Sequence, residues 1–181
     1  MQNNAQIKKW ISQDPIRMQA LFDARELGLR DWCLAAGFVR NLAWDKVHGY
    51  ACATALNDID LIYFDPNNTS EEAEKGLELR LRASSDLPWS VKNQARMHTR
   101  NSDSSYTSTE DAMSYWVEVE TAVGARLNGN DDIELVAPFG VDALFQYTIT
   151  MNSKRPKPEA FVQRTQRKRW LEIWPKLVIN G

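Results

Sequence analysis

The sequence predicts an α/β protein in the α+β sense: a small mixed sheet with helices packed on it. Three observations carry that reading. Short apolar runs, "DWCLAAG" and "IDLIYF", are closed by turn residues and alternate with stretches of helical period. Helix start signals open those stretches, with Asp14-Pro15 before the first and Gly37 before the second. Late in the chain, two runs flanking Asn128-Gly129 have the form of a hairpin.

In chain order, "QDPIRMQALFDARELGLRDW" begins with Asp14 as N-cap and Pro15 at the first helical position. Ile16, Met18, Leu21 and Leu27 fall roughly on one face, and Gly28 suits the C-cap. "DWCLAAG" reads as a short buried strand, and "FVRNLAWDKVHG" as a helix starting right behind Gly37. The next strand runs Ile59 to Phe64 and is closed by "DPNNTS". Thr69 and Glu72 form a capping box for the helix "SEEAEKGLELRLRASS". "PWSVKNQARMH" reads as a third strand, and "SSYTSTEDAMSYW" as a loop entering a short helix. "VEVETAVGARL" and "IELVAPFG" are the hairpin arms, with Asn128-Gly129 as the turn. After the Pro-broken "KRPKP", the tail reads as a basic, Trp-bearing helix. The expectation is one domain over 1–181, with N-terminal helices in 1–30 and a motif-bearing core in 31–100. A helix and hairpin fill 101–150, and the basic C-terminal helix 151–181.

With 181 residues, 43% of them hydrophobic and 7 Trp, the chain can bury a core. A net charge of -2 gives no global nucleic-acid signature. No apolar run has the length of a membrane span, and "MQNNAQIKKW" lacks the apolar centre of a signal peptide. Cys33 and Cys52 lack metal-site spacing, and both are expected to be small buried hydrophobes. These features together predict a cytoplasmic protein with no membrane partner.

The chemistry concentrates at "LNDIDLIYFD". Asp58 and Asp60 stand at i and i+2, so on a strand they share a face and repel. Alone, such a pair is better explained by solvation than by a metal ion. The neighbourhood adds weight: Gly37 follows a short apolar strand and opens a helix, aiming backbone N–H groups at a phosphate. Arg40, one turn on, offers a fork of donors to phosphate oxygens. Two carboxylates beside an anion site can hold Mg²⁺ or Mn²⁺, which share ligands with phosphates and align a hydroxyl with a pyrophosphate leaving group.

"AAGFVRNLAWDKVHG…LNDIDLIYFD" resembles the opening of the polymerase-β-like nucleotidyltransferase superfamily, where a Gly-Gly or Gly-Ser turn and helix precede an Asp-x-Asp strand. Ala36 to Asn41 is most similar to the tRNA CCA-adding form, Gly-Gly-x-Val-Arg-Asp. Further stretches, "VKNQARMH", "ETAVGARL", "APFGVDALF" and "RKRWLEIWPKL", extend the resemblance over most of the chain to a bacterial nucleotidyltransferase-like family. The resemblance implies that Asp58 and Asp60 are catalytic metal ligands and that Gly37 cradles the triphosphate. Phe38, Arg40 and Asn41 would then support the turn or touch phosphate. Ala36 and Asn41 depart from the CCA-adding pattern. The superfamily often adds a third carboxylate from the following strand, but "WSVKNQARMH" has no acid. Asn93 or Gln94 would stand there instead, with Glu118 or Glu120 as distant substitutes.

Strand alternation through "VKNQARMH" would place Lys92, Gln94, Arg96 and His98 on one face. Lys92 and Arg96 are therefore candidate phosphate contacts, against a solvated strand face as the plain alternative. His48 and His98 lack zinc spacing, and His48 reads as a helix-end surface residue. "RTQRKRW" could grip RNA, but its apolar spacing favours a helix docking Phe161, Trp170, Leu171 and Trp174. The expected activity is Mg²⁺-dependent transfer of a nucleoside monophosphate from an NTP to RNA, a small molecule or a protein. The alternative is a non-catalytic binding module on the same fold.

Overall fold

The computed structural model describes residues 2–181. Two helices open it, α1 (Gln2–Ser12) and α2 (Pro15–Arg25), the second being the one that the Asp14-Pro15 start signal marks. Asp14 caps α2 as expected, its carboxylate accepting from the Ile16 and Arg17 N–H groups. The helix ends at Arg25, so Gly28, at φ 70°, lies in the following turn and not at the cap. β1 (Trp32–Ala35), α3 (Gly37–His48) and β2 (Ile59–Tyr63) then follow as the turn and period signals require. Gly49, left-handed at φ 78°, stops α3.

α4 (Glu71–Ser84) is capped by Ser70, whose hydroxyl accepts from the Ala73 N–H at 3.3 Å. The Thr69–Glu72 capping box is thus displaced by one residue. The larger correction is at 94–98: β3 (Trp89–Asn93) stops at Asn93, and α5 (Gln94–Asn101) begins immediately. Asn93 causes the switch, because its side chain caps α5 through the Ala95 N–H at 3.0 Å. The same amide donates to the Asp65 and Asn68 carbonyls at 2.8 and 2.9 Å, clamping the loop after β2. Lys92, Gln94, Arg96 and His98 therefore do not share a strand face.

α6 (Thr109–Met113) precedes the hairpin β4 (Gly124–Leu127) and β5 (Ile133–Val136). Leu127 pairs with Ile133, so a five-residue loop joins the arms, with Asp131 and not Gly129 at positive φ. A two-residue Asn-Gly turn is not formed. Beyond a 3-10 turn at Asp142–Phe145 come β6 (Thr148–Thr150), α7 (Pro158–Arg167), α8 (Trp170–Ile173) and β7 (Val178–Asn180). Arg169, at φ 53°, divides the tail into two helices, and β6 and β7 pair as a separate parallel ribbon.

The main sheet has the order β3-β2-β1-β4-β5, with only β2 and β3 parallel. Alternation sends Trp32, Leu34, Ile59 and Leu61 into the main core, against Ile7, Leu21, Phe38 and Leu42 of the first three helices. Cys33, Ala35 and Ile62 face the other way, under Met113, Ala122 and Trp116. Asp60 lies on this second face, between Ala35 on β1 and Ser90 on β3. The tail packs on α3 through Trp44, whose ring meets Trp174 and Trp170 edge-on at 5.1 and 5.7 Å. Cys33 is buried as expected, whereas Cys52 is exposed. No helix among the described residues is long and apolar enough to cross a membrane.

Gly124 pairs with Ala35, and an added Cβ there would lie 2.6 Å from the Cys33 sulfur and 3.2 Å from the Leu34 carbonyl oxygen. Gly124→Ala is expected to destabilise by about 1–3 kcal/mol through overpacking. In a Cys33→Ala background the same change should cost less. Denaturant midpoints of the four proteins in the cycle measure the coupling, and full additivity would refute the contact as its cause.

Candidate active site

β1 delivers the chain to a sharp turn at Ala36. Its N–H donates to the Val123 carbonyl at 2.8 Å, and its own carbonyl accepts from the Arg40 and Val39 N–H groups at 2.9 and 3.2 Å. Ala36 sits at φ 56°, ψ −119°, a conformation that suits glycine and strains an L-residue. It offers no side-chain cap, so the Gly37 and Phe38 N–H groups in the first turn of α3 have no capping partner. Such N–H groups and the helix dipole favour an anion. The Phe38 side chain itself is fully buried in the main core, so it reaches this site only through its backbone. A Cβ on Gly37 would stand 3.4 Å from the Asn41 amide and 3.5 Å from the Arg40 guanidinium, in the gap those groups enclose.

A cavity of about 190 Å³ opens on this turn and is lined by Gly37, Asn41, Asp58, Asp60, Arg164 and Lys168, among others. Asp58 is exposed just before β2, and Asp60 is half-buried on it. Burial raises the Asp60 pKa above the usual carboxylate value, and the charge of Asp58 raises it further. Ser90, Lys168 and Arg40 pull it partly back. Among the described residues neither aspartate has a salt-bridge partner, and Lys168 and Arg40 offset their charge only in part, which leaves carboxylates of the kind that a divalent cation matches.

The third carboxylate is a different matter. Among the described residues no three His, Cys, Asp or Glu side chains gather as a metal cluster. Asn93 is committed to its loop and helix cap. Glu118 is buried and gripped by Arg164 at 2.6 and 3.1 Å. Glu120 accepts from the Thr150 N–H and from the hydroxyls of Thr148 and Thr150 at 2.8 to 2.9 Å. Both substitutes are satisfied elsewhere.

Arg40 lines the cavity but is buried. One guanidinium nitrogen donates to the Thr121 hydroxyl at 2.8 Å and another to the Asn41 amide oxygen at 3.0 Å. Its charge lies 4.7 Å from the Trp170 ring centre and 5.2 Å from that of Trp44. Burial pushes its pKa down to about 10, against the pull of Glu118. Lys92 binds Glu74 at 3.3 Å and lines an adjoining cavity, whereas Arg96 is held by Glu74 at 2.8 Å and lines neither. The start of α5 at Gln94 carries Arg96 away from the acids.

Sequence reasoning weighed Arg164 and Lys168 only as part of an RNA-gripping stretch, whereas their i, i+4 spacing turns both toward Asp60. The rest of "RTQRKRW" follows the docking pattern, with Phe161, Trp170 and Trp174 buried, although Leu171 is 40% exposed. His48 ends α3 as expected, and it also accepts from the Lys176 N–H at 3.2 Å. The adjoining cavity, about 310 Å³, shares Ala36, Asp60, Thr121 and Arg164 with the first.

A family model described as "Nucleotidyltransferase" matches residues 23–179. The chain belongs to that family. A solution NMR structure described as revealing a CCA-adding enzyme head domain is 35% identical, with a TM-score of 0.84. The match covers 100% of this chain and 98% of that one. A CCA-adding enzyme solved in complex with CTP is 15% identical at a TM-score of 0.58, which is a likeness of fold. It covers 97% of this nucleotidyltransferase, which spans 43% of that longer chain. No curated protein matches. Family and fold together assign the chain to nucleotidyl transfer and to the transferases of phosphorus-containing groups.

Two substitutions probe the strain and charge stored here. Ala36→Gly is expected to stabilise this nucleotidyltransferase by about 1 kcal/mol, read as a higher denaturant midpoint, because φ 56° suits glycine. Asp60 with a raised pKa opposes folding when ionised. Asp60→Asn should therefore raise the melting temperature at neutral pH, and the gain should fade as pH falls through the ordinary carboxylate range. A gain independent of pH would contradict the electrostatic cause.

Proposed function

We propose that this nucleotidyltransferase transfers a nucleoside monophosphate from an NTP to an acceptor hydroxyl, with Mg²⁺ or Mn²⁺ held by Asp58 and Asp60. One observation carries the reading: an uncapped helix start at Gly37 and two unpaired carboxylates line the same small cavity. The Gly37 and Phe38 N–H groups and the Asn41 amide would bind the terminal phosphates, and Lys168 would add a mobile positive charge. Arg40 holds the turn in shape from below, as its partners Thr121 and Asn41 require. The bound cation would neutralise phosphate charge and lower the pKa of the attacking hydroxyl. With protein carboxylates at only two positions, water or the substrate's own oxygens would complete its shell. RNA, a small molecule and a protein are all chemically competent acceptors, and a cytoplasmic setting, where NTPs are abundant, is part of the same proposal.

The second reading, a nucleotide-binding module without turnover, rests on the missing third acid. Labelled NTP incubated with Mg²⁺ or Mn²⁺ and cell extract separates the two, since a metal-dependent labelled product excludes the module. Asp58→Asn with Asp60→Asn should weaken Mg²⁺-dependent NTP binding about 100-fold in calorimetry, while the melting temperature stays level or rises. Unchanged binding in that variant would overturn the metal assignment. Gly37→Ala has room in the fold, with no contact under 3.4 Å, yet fills the phosphate gap. It should cut NTP affinity about tenfold at unchanged stability.

A further inference from the structure

The larger cavity meets the first at Ala36 and Asp60 but is not lined by Gly37 or Asn41, and the phosphate reading above does not use it. In an in-line displacement the incoming oxygen and the leaving pyrophosphate stand on opposite sides of the phosphorus. With the phosphates on the Gly37 turn and the reacting phosphorus beside Asp60, the incoming hydroxyl arrives from this second cavity.

Its lining is specific. Gln94 is only 4% exposed and lines the cavity, and its amide is not among the buried polar groups left without a partner, so its polar atoms open onto the cavity. An amide open to a cavity presents one donor and one acceptor side by side, so it suits a ligand that offers one acceptor and one donor in the same arrangement. Half-buried Trp116 with buried Met97 and Ile62 supply apolar walls. At about 310 Å³ the space suits one ring system and its substituents.

The charges point away from a polymer. Lys92 is paired with Glu74 at 3.3 Å, Lys157 with Asp103 at 3.2 Å and Arg164 with Glu118 at 2.6 Å. A nucleic-acid strand binds through cations free to meet its phosphates, and every cation lining this cavity already has an acid.

We propose that this cavity is the acceptor site and takes a small neutral hydroxyl compound with a planar ring and an amide-matching edge. Nucleosides represent that class, and the end of an RNA strand does not belong to it. The proposal rests on the nucleotidyl-transfer reading above. In the step, the acceptor oxygen bonds to the α-phosphorus and the bond from that phosphorus to pyrophosphate breaks. The hydroxyl proton leaves to solvent, and pyrophosphate departs.

The test is an NMR titration of the full ¹⁵N-labelled chain with adenosine, cytidine, guanosine and uridine, without NTP or metal. The Gln94 side-chain amide and the Trp116 indole report on this cavity, and the Asn41 amide reports on the phosphate turn. At least one nucleoside should move the first two signals saturably, and it should still do so with Mg²⁺ and a non-hydrolysable NTP bound. Gln94→Met should weaken that binding about tenfold or more while melting temperature and NTP binding hold. Trp116→Leu, on the half-buried wall, provides a second variant with the same expectation. The proposal falls if no nucleoside moves these signals up to its solubility limit. It falls equally if the NTP displaces the nucleoside, because the cavity then holds the nucleotide's own base. Tighter, salt-dependent binding of a single-stranded oligoribonucleotide at Gln94 and Trp116 would overturn it in favour of RNA. Failure of the NTP to move Asn41 would instead overturn the phosphate reading and remove the acceptor role with it.

Discussion

The site depends on a buried guanidinium. Arg40 is 6% exposed, and taking a charge out of water is costly unless the surroundings replace its hydration. Here two aromatic faces, a hydroxyl and an amide oxygen supply part of the replacement, from Trp44 and Asn41 on α3, Trp170 on α8 and Thr121 before β4, while the buried Nε has no partner among the described residues. Those groups come from three separated parts of the chain, so satisfying one cation fixes the mutual placement of all three. The acids at Glu118, Asp60 and Asp58 favour its charged form from a distance. Arg40 thereby couples the Gly37 turn to the C-terminal helices that present Arg164 and Lys168.

Asp45 extends the same principle to the loop that ends in Asp58. It is 2% exposed and accepts from the Thr54 N–H and hydroxyl at 2.7 and 2.6 Å, and from the Trp174 indole at 2.8 Å. The loop that ends in Asp58 is therefore pinned to α3 and to the tail by one carboxylate. Tyr50 adds a hydrogen bond from the same loop to the Ile173 carbonyl. A buried acid with only hydrogen-bond donors around it is strongly placed, because losing any one donor leaves charge unsatisfied.

The legible part of this protein was what short-range physics decides. Asp14 and Pro15 start α2, Gly49 ends α3, and β2 shows its apolar run with an aspartate pair at its mouth. The same signals brought Gly37, Asp58 and Asp60 together on paper, and the fold places them around one cavity. The strand after α4 was misread because "VKNQARMH" alternates well enough to look extended, while one side chain, Asn93, ends the strand by capping the next helix. Capping of that kind is local, but its competition with strand pairing is decided by the Asp65–Asn68 loop, which sequence spacing does not reveal. Arg96 was lost to the site for that reason. Arg164 and Lys168 entered it through tertiary packing of the Trp-rich tail, which no local pattern announces.

The turn itself shows how two glycines of a motif differ in kind. The first position needs a backbone conformation, and Ala36 adopts it at the expense of strain. That strain is held by three hydrogen bonds, from Ala36 to Val123 and from Val39 and Arg40 back to Ala36. The second position needs space, since any side chain on Gly37 would occupy the gap bounded by Asn41 and Arg40. Strain is an energy that surrounding bonds can offset, whereas an occupied volume cannot be offset by anything nearby. A methyl group at 36 therefore leaves that gap open while one at 37 enters it, and the sequence "AAG" carries that asymmetry in its order.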